Sequence, residues 1–146
     1  MFLKRMPLKC ENIMADDIRE NAMSGGTPAR LRGLAADGNS ISPTLEEVMN
    51  AMGLFYKRFT VTAGGQYELP FNSGLIIVQD LSQNYDKSVA ILWADGRGSV
   101  IVPASTISFF SEVENKICVI NTGNNTKYII KNSRANDRVV IVTFIK

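Results

Sequence analysis

The hydrophobic and polar positions of this chain change rhythm near Gly53. From Phe55 onward apolar residues fall in short runs split by Gly, Asn and Asp, as β-strands read. Phe55 to Thr62 alternates Phe55, Phe59 and Val61 with Tyr56, Arg58 and Thr60, which gives a strand one apolar face. After Gly64-Gly65, Tyr67, Leu69 and Phe71 alternate with Glu68 and Pro70, and the proline, lacking an N–H, assigns that strand to an edge. Leu75 to Val78, Ser88 to Ala94, Ser99 to Val102, Thr106 to Phe110, Lys116 to Asn121, Thr126 to Ile130 and Arg138 to Ile145 complete the strand set. Asn72-Ser73-Gly74, Asp95-Gly96-Arg97-Gly98 and Gly123-Asn124-Asn125 supply turns between them. Eight or nine short strands with no intervening helix predict an all-β fold, an antiparallel β-sandwich or jelly-roll-like domain over 55–146.

Residues 1–54 read differently, as an extended N-terminal arm ending in one short helix at about 43–52. Ser42 suits an N-cap with Pro43 at the first helical position, while Thr44 with Glu47 fits a capping box one register later. Gly53 supplies the stop. Leu45, Val48, Met49 and Met52 fall at i, i+3, i+4 and i+7 on one face, fit either for the chain's own core or for bundling with copies of itself. Upstream, Arg30 and Arg32, with the earlier Arg19, are interleaved with Leu31 and Leu34 and closed by Asp37-Gly38-Asn39. Two readings stand: a flexible linker, or a docking peptide whose leucines fill a partner's pockets while its guanidiniums fix register.

Composition sharpens the divide. All six methionines lie at or before Met52, and 21 Ile or Val follow residue 54 against four before it. The net charge of +2 is spread without a basic stripe, which argues against nucleic acid as a partner. No apolar run is long enough to insert in a membrane, and Pro7, Lys9 and Glu11 interrupt any secretory h-region after Met1 to Met6. Synthesis and assembly in the cytoplasm are therefore expected. Cys10 and Cys118 match neither a disulfide framework nor a zinc spacing and read as free thiols, Cys118 as a small core residue.

Chemistry is sparse. The absence of histidine removes the commonest general base near neutral pH, the Ser-His-Asp triad and most zinc sites, so no enzyme activity, cofactor or metal is expected. Asp80, Asp86 and Asp95 sit in or beside turns, where Asp bonds local backbone, and Glu112 with Glu114 reads as a solvated strand end. Asp95-Gly96-Arg97-Gly98-Ser99 joins two strands and lacks the helix a phosphate loop needs. Trp93, inside an apolar run, is expected in the core; Tyr85, in the loop Ser82 to Lys87, is the better exposed candidate for stacking on a glycan, together with the loop Thr122 to Thr126. Leu75 to Val78 and Val139 to Val142 are apolar at both parities, which demands a second burial surface and points to a homo-oligomer.

The segment Asp17 to Met49, with NAMSGGTPARLRGL and then GNSISPTLEEV, followed by Phe59 to Val78 (FTVTAGGQYELPFNSGLIIV), resembles the fibre-like structural proteins of tailed phages and prophages of gut Bacteroidota, including crAss-like phages. The resemblance implies a virion protein, a homotrimer, whose arm attaches to a phage capsid or tail protein while the β-domain projects. The chain is short and lacks a long repetitive shaft, which fits a short head fibre, a fibre base or a tail adaptor better than a receptor tip on a long rod.

Overall fold

In the computed structural model the described residues are 33–34, 37–83 and 85–146. The chain runs through β1 (Gly33–Leu34), β2 (Ser40–Ile41), α1 (Leu45–Ala51), β3 (Leu54–Val61), β4 (Gln66–Glu68), β5 (Gly74–Asp80), β6 (Asp86–Leu92), β7 (Gly98–Val102), β8 (Ile107–Phe109), β9 (Ile117–Asn121), β10 (Tyr128–Asn132) and β11 (Arg138–Ile145).

Period-two alternation builds two sheets whose inner faces make one core. One sheet has five strands in the order β3-β11-β5-β6-β7, and the other four in the order β4-β10-β9-β8. The five-stranded sheet turns Phe55, Ile76, Val78, Ala90, Leu92, Val140, Val142 and Phe144 inward; Ile107, Phe109, Ile117, Val119, Tyr128 and Ile130 meet them from the other. Phe71 packs edge-on against Phe144 with centroids 5.3 Å apart, in a favoured aromatic geometry. The fully buried Tyr128 donates its hydroxyl to the Trp93 carbonyl oxygen at 2.7 Å, so its polar tip is satisfied. Burial is the first reason its pKa lies above the ordinary tyrosine value, with the Asp95 charge second.

The fold is the expected all-β sandwich with one short helix, and it departs from a wholly antiparallel one at β8 and β9, which pair in parallel. Residues 110–116 therefore have to return the chain to the starting end of β8, and they do so as a strap. Val113 N–H contacts the Cys118 sulfur at 3.2 Å, and Glu112 accepts from Lys131 at 2.8 Å and from Ser133 at 3.1 Å. Cys118 is thus fully buried, but beneath this strap rather than among the residues of the inter-sheet core.

β4 is an edge strand, as Pro70 requires. The helix is shorter than 43–52. Thr44, not Ser42, is the N-cap, because it forms both halves of the capping box: Glu47 N–H donates to Thr44 Oγ1 at 3.2 Å, and Thr44 N–H donates to Glu47 Oε2 at 2.6 Å. Pro43 consequently lies outside it. The arm segment read as a linker or docking peptide carries a short antiparallel pair, β1 with β2, turned at Gly38, with φ of 82°, inside the Asp37-Gly38-Asn39 turn signal. Asn39 N–H donates to Asp37 Oδ1 at 3.0 Å across that turn and holds the Asp37 carboxyl below its ordinary value.

Candidate functional site

The outer face of the five-stranded sheet is the most unusual surface of the molecule. Register fixes its composition row by row. Leu54, Ile145, Leu75, Ile91 and Ser99 lie across the sheet in the row nearest α1. Tyr56, Thr143, Ile77, Val89 and Val102 form the second row, with the register shift between Val89 and Ala90 returning Val102 to this face. Arg58, Ile141, Gln79 and Lys87 form the third, and Thr60 with Val139 the start of a fourth. Tyr56 is 59% exposed, Val102 45%, Ile145 43% and Ile91 41%, values normal for polar residues.

The opposite outer face shows what a self-sufficient sheet looks like. There the strap covers Cys118, the Lys131–Glu112 ion pair at 2.8 Å ties the strap to β10, and the Lys127–Glu68 pair at 3.3 Å joins the segment before β10 to β4. The Glu112 carboxyl is held below its ordinary value first by Lys131 and then by Ser133. No segment among the described residues plays that part for the five-stranded sheet.

Helix α1 extends the apolar face past its β3 edge. Leu45, Val48 and Met49 are half-buried, whereas Met52, expected on the same face, is the C-cap and is 78% exposed. A groove of about 250 Å³ runs between helix and strand, lined by Leu45, Met49, Leu54, Phe55 and Tyr56 and by the polar Glu46 and Asn50. Lys57, next along β3, bonds Tyr67 at 3.3 Å and Glu46 at 3.2 Å; both raise its pKa, Tyr67 more.

The docking residues Arg19, Arg30, Leu31 and Arg32 lie outside the described residues; Leu34 is placed by its backbone in β1. Tyr85 is 69% exposed, with φ of 54°, in the turn between β5 and β6. The structure does not bring the two candidate glycan loops together. Asp80 pairs with Asp86 beside Tyr85 at one end of β5 and β6, while the turn after Asn121 bonds Ala94 and Asn72 at the end where Gly74 pairs with Leu92.

Trp93 is a correction: it is 49% exposed, not core, because β6 ends at Leu92 and the hairpin swings Trp93 outward. Its N–H donates to the Arg97 carbonyl oxygen at 2.8 Å, and the Arg97 guanidinium lies 5.8 Å from its ring centroid. Asp95 and Asp80 do cap local backbone, accepting from Arg97 and Ser82 N–H, both at 3.0 Å. Asp86 instead reaches across to Thr106, whose N–H at 3.0 Å is the main reason the Asp86 carboxyl titrates below its ordinary value. Sequence reasoning also missed Leu54, Val89, Ile91 and Val102 as face residues; the apolar run Val89 to Leu92 carried the signal at both parities.

Among the described residues no three His, Cys, Asp or Glu side chains gather as a metal site, and no helix is long and apolar enough to cross a membrane. Comparison with protein-family models, curated proteins and solved structures finds no match. What the geometry defines is an all-β sandwich with one outer face left apolar.

Proposed function

We propose that this chain is a phage virion structural protein, a short fibre-type module without catalytic activity. Its N-terminal arm, through Arg19, Arg30, Leu31, Arg32 and Leu34, docks to a capsid protein as a head fibre or to a tail protein, and its β-domain forms a homotrimer. The observation that carries this reading is the bare apolar face of the five-stranded sheet, because a chain with so much unsatisfied apolar surface is built to be assembled. The arm pattern, through the resemblance described above, supplies the setting. Antibody labelling of intact particles of a phage or prophage that encodes the chain tests it. Discrete labelling at the head or tail is expected; particles that lack the protein altogether overturn it.

A receptor-binding role is the second reading, favoured by Tyr85 standing 69% exposed at the end opposite α1. Binding to host surface glycan that is lost in Tyr85→Ala supports it, and equal binding by both forms removes it.

A further inference from the structure

We infer that the outer face of the five-stranded sheet is the contact between copies of this chain, and that the copies stand parallel, with every α1 at the same end. The inference rests on the homo-oligomer proposed above and adds the surface and its polarity.

Size points to a second copy as the occupant. Strands ~4.8 Å apart with a rise of ~3.4 Å per residue give four rows on five strands a footprint on the order of 600 Å². A standard interface buries about 800 Å² per partner, which the face approaches once the exposed side of α1, with Met52, is added. Composition agrees, since a homo-oligomer interface is more apolar than ordinary surface.

Polarity follows from the rows. The two rows nearest α1 hold no charged residue, whereas Arg58 and Lys87 both lie in the third. In an antiparallel pairing the third row of one copy lies on an apolar row of the other, desolvating two cations with no acid in those rows to receive them, while Glu46 on α1 is already paired with Lys57. In a parallel arrangement apolar rows meet apolar rows, and the cations stay level with one another at the solvent-open end, where salt screens them. Like polarity also closes into a ring and brings every arm to one end, so that several weak dockings act together on one support.

Full-length protein carrying Cys10→Ser and Leu75→Cys, treated with a short bis-maleimide, tests polarity. Leu75 lies in the first row of the central strand, so parallel copies place like cysteines together and a covalent dimer forms. Cross-linking only in mixtures of Leu75→Cys with Gln79→Cys chains, from the third row, means antiparallel copies and overturns the inference. Ile91→Lys tests the surface: it is expected to weaken association at least about thirtyfold while circular dichroism stays native. A folded Ile91→Lys protein that associates like the parent overturns the surface but leaves the homo-oligomer standing. A parent chain that is monomeric overturns both. Should Ile91→Lys fail to fold, cross-linking of Leu75→Cys alone decides.

Discussion

Asn132 offers a sharp test of how the sandwich is pinned at the end away from α1. Its side chain is fully buried at the end of β10. Nδ2 reaches the carbonyl oxygens of Val61 at 3.0 Å, Thr62 at 3.2 Å and Asn136 at 2.8 Å, and Oδ1 accepts from Arg134 N–H at 3.1 Å. One side chain thereby ties β10 to the end of β3 and to the turn before β11. Asn132→Ala removes the two Nδ2 protons shared among three carbonyl oxygens and one acceptance, and takes a donor from the buried carbonyl of Val61. At about 1 kcal/mol for each of the two donated protons and the one acceptance, with a further desolvation cost at the Val61 carbonyl, the loss is about 3–4 kcal/mol. In a domain of this size that lowers Tm by roughly 12–20 °C. Urea unfolding followed by circular dichroism, at one fixed protein concentration, measures it. Asn132→Asp adds a directional check. A carboxyl among carbonyls has its folded pKa raised above the unfolded value, so its contribution is present at acid pH and lost as pH rises through the folded pKa. A loss below about 1 kcal/mol for Asn132→Ala, or an Asp variant that grows more stable as pH rises, refutes the pinning role.

Three further outcomes follow from the geometry. Thr44→Ala removes one half of the capping box and costs about 1 kcal/mol locally; because α1 buries none of its residues, faster amide exchange at Val48 and Met52 is expected with global unfolding nearly unchanged. Asp86 has a depressed folded pKa, so its stabilisation is present above the unfolded carboxylate value and fades as pH falls toward the folded one; acid titration of Asp86→Asn should show a shallower loss of stability below the ordinary carboxylate range than the parent shows. Cys118, sealed beneath Val113, is expected to resist a thiol reagent in native Cys10→Ser protein and to react fully in urea, and prompt native labelling would mean that the strap opens.

The strands were legible because each is a local pattern bounded by Gly, Asn or Asp turns, and Arg138 to Ile145 coincides with β11 at both ends. Pairing was not, because it joins residues far apart in sequence: nothing local in Ile107 to Phe109 announces a parallel partner in Ile117 to Val119. The helix start was ambiguous because Ser42 and Thr44 are both competent caps, and only Thr44 has a glutamate three residues on. Trp93 deceived because its run is apolar up to the residue where the hairpin begins. The apolar surplus of Leu75 to Val78 and Val139 to Val142 was visible from parity alone. That it gathers into two charge-free rows beside α1, with the cations beyond them, required the register of five strands.

The central claim is that this chain is made to be assembled with copies of itself. Multi-angle light scattering on the full-length chain over a hundredfold range of concentration tests it most directly. The account predicts the mass of three chains at micromolar concentration and above. The mass of a single 16.1 kDa chain throughout that range would contradict it.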